Sequence, residues 1–184
     1  YNFINMKEFF FFLTPIKASN NPYVFYKRDY FLLPVLFEFE GEEKKIKEAI
    51  DYFNTDGLMI LKDGEIVYEN YWNKNKENSK HIIWSVSKSF LSALVGIALD
   101  EGLIEDINDP IIKYLDDFKG TGYEGVSIKN LLQMSSGIKF NEDYGDPDSD
   151  INRYGRVTAT GTSQREFAKT LKNKKKPGTY NHYI

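Results

Sequence analysis

The feature that most constrains this chain is an apolar helical run over residues 90–99, preceded by Ser85 and Lys88 in the pattern Ser-x-x-Lys. Apolar side chains occupy most faces of this run, and Gly102 is suited to end the helix. We therefore predict a helix over residues 85–101 that is buried on nearly all sides. A Lys at the start of such a helix is unusual, because Lys is rarely buried without a partner.

The spacing of Ser85 and Lys88 is suited to a nucleophile with a neighbouring base. Residues three apart on a helix share a face, so an amine is predicted beside a hydroxyl. A Ser hydroxyl is a weak nucleophile until a base takes its proton, and a desolvated Lys can be neutral and act as that base. A helix N-terminus also directs N–H groups at a developing oxyanion. With 24 Lys and Arg in the chain the pattern also arises by chance, so the rest of the sequence must decide whether Ser85 and Lys88 are catalytic.

Composition narrows the class of protein. With 184 residues, 41% hydrophobic and 28% charged, the chain is globular, with one domain or one domain and part of another. A net charge of -3 gives no case for nucleic-acid binding. The absence of Cys excludes disulfides, thiol catalysis and Cys-based zinc sites, and two His argue against a multi-His metal site. No apolar run is long enough for a transmembrane helix.

The first half of the chain predicts an extension, a helix and a hairpin. Residues 1–40 are aromatic-rich and interrupted by Pro, which indicates an irregular extension on the domain surface. Residues 42–53 have helical apolar spacing. Two strand-like runs, residues 58–61 and 66–72, flank an Asp63-Gly64 pair, the strongest short hairpin signal.

The second half predicts a mostly helical subdomain from about residue 105. Pro110 follows Asp and fits the first position of a helix. Ser127 is a predicted N-cap, and so is Ser163, which has a Glu three residues later as in a capping box. Residues 140–155 are predicted to form a long loop.

Four aspartates in that loop leave two interpretations. They could bind Ca²⁺, but their spacing lacks the glycine and closing glutamate of an EF-hand loop. A solvated loop on the substrate side is the favoured interpretation. The residues are Asp143, Asp146, Asp148 and Asp150.

Several motifs occur in a characteristic order: the hairpin, Trp84-Ser85-x-x-Lys88, Leu-Leu-Gln-Met-Ser-Ser-Gly at 131–137, and Pro-Gly-Thr at 177–179 followed by Tyr183. Over residues 54–184 this resembles the serine β-lactamase-related superfamily. That group contains class C β-lactamases, D-alanyl-D-alanine carboxypeptidases, related esterases and 6-aminohexanoate-oligomer hydrolases.

The resemblance implies an α+β fold, with an antiparallel sheet backed by helices, and a domain over residues 41–184. It implies that Ser85 is the acylated nucleophile and that Lys88 is the base or keeps the base deprotonated. Tyr183 matches the first residue of the family's Tyr-x-Asn or Tyr-x-Ser motif, which moves protons between nucleophile and leaving group. Tyr180 is the alternative, although its spacing fits less well.

Three further side chains are given structural roles. His182 flanks Tyr183, where the family uses no His, and His81 is expected to pack or hydrogen-bond at the helix entry. Trp84 is expected in the core rather than at the substrate.

The resemblance also sets expectations about completeness and activity. The third residue of the tyrosine motif and the family's later Lys/His-Thr/Ser-Gly strand are not in the sequence. We therefore expect an N-terminal fragment that is inactive and poorly stable by itself, with one edge of its hairpin unpaired.

The implied function is a serine hydrolase that cleaves a small-molecule amide or ester through an acyl-enzyme, without a cofactor. One alternative is a penicillin- or peptidoglycan-recognising protein that acylates without turnover, and another is a catalytically dead paralogue. The resemblance slightly favours a periplasmic or other extracytoplasmic location.

Overall fold

A computed structural model of the chain describes residues 4–8, 14–28 and 31–184. The chain forms two compact units, residues 1–82 and residues 83–184. Among the described residues, the first unit contains the strands and one short α-helix, and the second contains the remaining α-helices. The element content is therefore α+β, as expected.

The predicted division into a 1–40 extension and a 41–184 domain remains a prediction. Part of that extension lies outside the described residues, namely positions 1–3, 9–13 and 29–30.

The predicted hairpin is confirmed. Strands β3 (Gly57–Lys62) and β4 (Glu65–Tyr71) pair antiparallel. At the turn between them, Asp63 has a φ of 54° and Gly64 a φ of 80°. A two-residue turn with both φ values positive matches the twist of the flanking strands, and Asp-Gly adopts it at low cost.

A second hairpin corrects the predicted helix that starts at residue 42. Its turn lies at Glu40 and Gly41, which have φ values of 54° and 79° and return the chain for pairing. The four residues after the turn are strand rather than helix, because their backbone bonds across to the preceding segment. The elements are β1 (Leu36–Phe39), β2 (Glu42–Lys45) and α1 (Ile46–Tyr52).

Part of the predicted extension runs beside β4. The Ile66 N–H donates to Tyr26 O at 2.8 Å, and the Arg28 N–H donates to Ile66 O at 2.9 Å. The Phe31 N–H donates to Val67 O at 2.8 Å. The outer edge of β4 is therefore partly paired, because the extension satisfies backbone groups that the strand exposes.

The second unit is built from four α-helices and short 3₁₀ turns. Among the described residues, no helix is long and apolar enough to cross a membrane. The region predicted as a loop over 140–155 is helical from Asp150 onward, and Pro110 precedes a 3₁₀ turn rather than an α-helix. The helices are α2 (Ser87–Asp100), α3 (Ile128–Leu132), α4 (Asp150–Ala159) and α5 (Gln164–Thr170).

Both predicted N-caps are confirmed. Ser127 Oγ accepts the Asn130 N–H at 3.1 Å, and Asn130 Oδ1 accepts the Ser127 N–H at 3.2 Å, which is a complete capping box. Ser163 Oγ accepts the Glu166 N–H at 3.3 Å. The Glu166 carboxylate pairs with Lys169 at 2.5 Å, so the return contact predicted there is replaced by an ion pair.

The predicted burial of α2 is wrong. No residue of α2 is buried, and Phe90 and Leu94 are 64% and 60% exposed. Trp84, predicted to lie in the core, is 67% exposed. Within the second unit, Val95 packs against the cluster of Ile111, Phe118 and Ile128. Apolar composition raises the benefit of burial on every face, but it does not supply the neighbours that burial requires.

The backbone at position 137 requires a glycine, and this requirement can be tested. It has a φ of 76°, and a Cβ there would lie 2.1 Å from Lys175 O. We expect Gly137→Ala to destabilise the protein by more than about 1 kcal/mol, because Ala meets both a left-handed backbone and a backbone clash. Urea unfolding of both variants measures this. Gly125→Ala is the matched control, since nothing lies within 4 Å of its Cβ position; equal midpoints for the two variants would contradict the prediction.

Candidate active site

Ser85 lies in a 3₁₀ turn, Trp84–Val86, immediately before α2. The predicted helix start at Ser85 is thus corrected: the first turn is 3₁₀ and the α-helix begins at Ser87. Trp84 has a φ of 42°, a strained value for a bulky residue. Its carbonyl accepts the Ser87 hydroxyl at 2.7 Å, which helps to hold this turn.

Lys88 is the centre of the candidate site. Its Nζ lies 2.9 Å from Ser85 Oγ and 3.3 Å from Tyr183 Oη. The same nitrogen lies 4.9 Å from the centre of the Tyr183 ring. Ser85 and Lys88 are three residues apart across the junction of the 3₁₀ turn and α2, so their side chains lie on the same face. Lys88 is half-buried rather than fully buried as predicted.

The surroundings of Lys88 favour proton exchange with hydroxyls. Within residues 4–8, 14–28 and 31–184, no carboxylate lies within 4.0 Å of its amine. The polar side-chain contacts of this amine are instead with the hydroxyls of Ser85 and Tyr183. This arrangement can therefore convert Ser85 into a nucleophile.

Tyr183 reaches Lys88 because two motifs are bound together. Residues 178–182, which start within Pro-Gly-Thr, are held against residues 133–135 of the Leu-Leu-Gln-Met-Ser-Ser-Gly stretch by three hydrogen bonds. Two are donated by backbone N–H groups and one by an Asn side chain. They run from Gly178 N to Ser135 O at 2.8 Å, His182 N to Met134 O at 2.7 Å, and Asn181 Nδ2 to Gln133 O at 2.9 Å.

The environment of Tyr183 favours its phenolate. Hydrogen bonding to Ser85 is the largest cause that lowers the pKa of Tyr183, and hydrogen bonding to Lys88 is the second. The positive charge of Lys88 acts in the same direction, whereas partial burial and the carboxylate of Glu142 oppose it. The pKa of this hydroxyl therefore lies below its ordinary value of 10.0.

Tyr183, rather than Tyr180, contacts Lys88. The Tyr180 ring instead lies 5.9 Å from the His182 ring, centre to centre. His182 is anchored through its backbone, as its N–H donates to Met134 O. The structure thus brings together Ser85, Lys88 and Tyr183.

His81 lies in the first unit, where Nε2 is 3.0 Å from Asp56 Oδ2 and Nδ1 is 2.7 Å from Ile82 O. The hydrogen bond to Asp56 is the main cause that raises the pKa of His81, and the bond to the Ile82 carbonyl adds to it. These contacts agree with the structural role expected for this residue.

The aspartates of the 140–155 region mostly bind their own backbone. Asp143 Oδ1 accepts the Gly145 N–H at 2.8 Å, and Asp146 Oδ1 accepts the Asp148 N–H at 2.9 Å. Within the part of the chain that the structure describes, no group of three or more His, Cys, Asp or Glu side chains is placed to hold a metal ion.

Two residues near the site, Glu142 and Tyr144, do not belong to any motif identified in the sequence. Tyr144 donates to Glu142 Oε1 at 3.2 Å, and this hydrogen bond is the main cause that raises the pKa of Tyr144. Both residues interact electrostatically with Tyr183. They lie in the loop before α4, where residue spacing does not predict which side chains approach the site.

Comparison with known proteins gives a family match. The sequence profile of the family described as Beta-lactamase matches residues 44–183. This range contains Ser85, Lys88 and Tyr183.

Two curated relatives share part of the chain. A 6-aminohexanoate-dimer hydrolase from Paenarthrobacter ureafaciens is 32% identical over 111 residues, which are 60% of this chain and 28% of that protein. A beta-lactamase from Pseudomonas fluorescens is 31% identical over 87 residues, which are 44% of this chain and 24% of that protein. The chain thus matches about a quarter of the length of each relative.

A solved structure shows the fold. The protein named "Putative 6-aminohexanoate-dimer hydrolase from Bacillus anthracis" superposes with a TM-score of 0.80 at 22% identity, over 99% of this chain and 50% of that chain. The α+β fold implied by the sequence motifs is therefore confirmed as the fold of β-lactamase relatives. With the profile match across both motif regions, the chain belongs to the Beta-lactamase family.

Proposed function

We propose that the protein is a serine hydrolase that cleaves an amide or ester bond through an acyl-enzyme on Ser85. The observation that carries this proposal is the position of Lys88 Nζ, which lies within hydrogen-bond distance of both Ser85 Oγ and Tyr183 Oη. A nucleophile beside a base that a third group orients is the general arrangement for covalent catalysis.

In the first step, Ser85 Oγ attacks the substrate carbonyl carbon and its proton passes to the neutral Lys88 amine. The electron pair of the C=O bond moves to the oxygen and forms an oxyanion. The Ser85 N–H, in the first turn before α2, donates to that oxyanion, because the first N–H groups of a helix lack intrahelical acceptors.

The oxyanion then collapses and breaks the carbonyl bond to the leaving nitrogen or oxygen. The leaving group takes a proton from the Lys88 and Tyr183 pair, and the acyl group remains on Ser85. Attack by water on this ester, with its proton accepted by the same pair, releases the acid and restores the hydroxyl. The acid-base groups thus return to their starting state after each turnover.

The relatives support an amide or ester substrate. One relative is named as a hydrolase of 6-aminohexanoate dimers and the other as a β-lactamase. Both reactions begin with attack on an amide carbonyl. We extend only this reaction class to the present protein.

Burst kinetics on the natural full-length protein test the proposal. A fluorophosphonate or a penicillin is expected to add one acyl or phosphonyl group to the peptide that contains Ser85, as detected by mass spectrometry. A chromogenic ester should then give a burst followed by a steady-state rate. A burst with no further turnover would instead support the recognition protein that acylates and stays acylated, and labelling at another residue would refute the assignment of Ser85.

The pKa of Tyr183 leads to a prediction about pH. If the phenolate assists proton removal, kcat/KM rises with pH as Tyr183 ionises, and this happens below pH 10.0 because the pKa is lowered. In Tyr183→Phe this rise with pH should disappear, and the plateau value of kcat/KM should fall about 10²-fold. Tyr180→Phe is the control, and an unchanged rise in Tyr183→Phe would remove Tyr183 from the mechanism.

A further inference from the structure

Asn152, in the first turn of α4, holds the loop that precedes this helix. Its side-chain Nδ2 lies 2.8 Å from Asp146 O, 3.1 Å from Tyr144 O and 3.5 Å from Asp143 O. An amide group carries two donor hydrogens, so the three carbonyls share them. One partly buried side chain therefore binds three backbone carbonyls within four consecutive residues.

The start of the same loop is also bound to the first turn of α4. The Asn141 N–H donates to Asp150 Oδ2 at 2.9 Å, and the Ile151 N–H donates to Asn141 O at 3.1 Å. The first N–H groups of a helix lack intrahelical acceptors, so the loop carbonyl supplies one of them. The loop over residues 141–146 is thus attached at both ends to one turn of α4.

This loop begins beside the segment that contains Tyr183. Asn141 and His182 line the same cavity of about 240 Å³. Phe140 and Ile184 pack against the same buried cluster of the second unit. The residues on both sides of Tyr183 are therefore neighbours of the residues at the start of the loop.

The loop carries an acidic group that acts on Tyr183. Tyr144 donates through its hydroxyl to Glu142 Oε1 at 3.2 Å, and the Tyr144 carbonyl is one of the three that the amide binds. Hydrogen bonds to Ser85 and then to Lys88 are the main causes that lower the pKa of Tyr183, and the Glu142 carboxylate opposes them. A carboxylate near a phenol disfavours the phenolate, because both are negative.

We propose that Asn152 is a positioning residue, which holds the loop over residues 141–146 so that the Glu142 carboxylate faces Tyr183. The inference rests on the proposed function, because it concerns the hydroxyl that exchanges protons with Lys88. When the loop is released, the exposed Glu142 side chain can move into solvent, where water and salt weaken its effect on the phenolate. Tyr183 then loses its proton at a lower pH.

Asn152→Leu tests this proposal in the full-length protein, because Leu keeps the branched shape without a donor or a charge. The ionisation of Tyr183 is followed by NMR of tyrosine labelled with ¹³C at Cζ, and the signal is assigned by its loss in Tyr183→Phe. At low salt, Glu142→Gln should move the titration midpoint of Tyr183 to lower pH by about 0.3 pH unit or more. Asn152→Leu should move it in the same direction by a similar amount.

The double variant of Asn152→Leu and Glu142→Gln should titrate as Glu142→Gln does, because both changes remove the same charge effect. Asn152→Ala should give the same shift as Asn152→Leu, so the result does not depend on one variant folding well. Unshifted midpoints in both Asn152 variants, or a shift that adds fully to that of Glu142→Gln, would overturn the proposal. A fall in the unfolding temperature without a shifted midpoint would mean that Asn152 serves stability alone.

Gln164→Met is the matched control. It also replaces an amide by an uncharged side chain of similar shape in the second unit, and that amide lies 3.5 Å from Thr158 Oγ1 instead of near the loop carbonyls. The midpoint of Tyr183 should be the same in Gln164→Met as in the natural protein. An equal shift in Gln164→Met and Asn152→Leu would contradict a specific role for Asn152.

The pH dependence of kcat/KM for an ester separates this inference from the proposed function. The rise of kcat/KM with pH should move with the NMR midpoint in each variant. If the midpoint shifts as expected but kcat/KM does not follow it, Asn152 positions the loop and the role of Tyr183 in hydrolysis fails. If kcat/KM follows the ionisation of Tyr183 but the Asn152 variants leave the midpoint unchanged, the positioning role fails and the hydrolase proposal stands.

Discussion

Replacing Ser85 with Ala in the full-length protein is expected to abolish covalent labelling and lower kcat/KM by about 10⁴-fold or more. The physical reason is that no acyl-enzyme can form without the hydroxyl, so only the oxyanion donors and substrate binding remain to assist attack by water. Mass spectrometry after fluorophosphonate treatment measures the labelling, and steady-state ester hydrolysis measures the rate.

Ser87→Ala is the control for Ser85→Ala. Ser87 lies two residues away, and its hydroxyl donates to the Trp84 carbonyl instead of facing the lysine. We expect labelling to persist and the rate to change by only a few-fold. Loss of labelling in Ser87→Ala with full labelling in Ser85→Ala would reverse the assignment of the nucleophile.

Lys88→Arg is expected to lower kcat/KM by about 10²- to 10⁴-fold, the usual contribution of a positioned general base. Arg keeps the positive charge but cannot give up its proton near neutral pH, so it cannot accept the Ser85 proton. The measurement is the burst rate, because the loss should appear in acylation.

Comparison with Lys88→Met tests the role of charge. If Lys88 acts as a neutral base, Arg and Met should reduce the burst rate by similar factors. If Lys88 instead acts only through its charge, for instance by lowering the pKa of Tyr183, Arg should retain most of the rate and Met should not. Lys129→Met, on α3, is the control for loss of a lysine elsewhere in the same unit.

Local sequence signals predicted the turns and caps well. Asp63 and Gly64 form the expected hairpin turn, and Ser127 and Ser163 cap helices as expected. These features depend on a residue and its neighbours within three or four positions, because the hydrogen bonds that stabilise them close within one turn.

Predictions that depended on distant neighbours were less accurate. Residues 42–45 have the composition of a helix, yet they pair as a strand with residues 36–39. Helix α2 has apolar residues on most faces, yet none of its residues is buried. Strand pairing and burial are decided by what lies opposite in space, which residue spacing along one element does not encode.

The candidate site also combines one contact that local spacing predicts with one that depends on distant residues. The Ser-x-x-Lys spacing alone predicted that a hydroxyl and an amine lie one turn apart, because backbone geometry determines the distance between side chains three residues apart. Family resemblance, and not spacing, selected Tyr183. Its contact with Lys88 spans 95 residues and depends on the hydrogen bonds between the segments that contain residues 133–135 and 178–182.

The sequence by itself therefore determined the local chemistry: the pairing of Ser85 with Lys88, the hairpin turn and the helix caps. Only the tertiary structure decided which tyrosine reaches the amine, how much of α2 is exposed and which residues of the loop before α4 approach Tyr183. The physical reason is that hydrogen bonds within one turn depend on adjacent residues, whereas packing and long-range hydrogen bonds depend on the complete set of surfaces that meet in the folded chain.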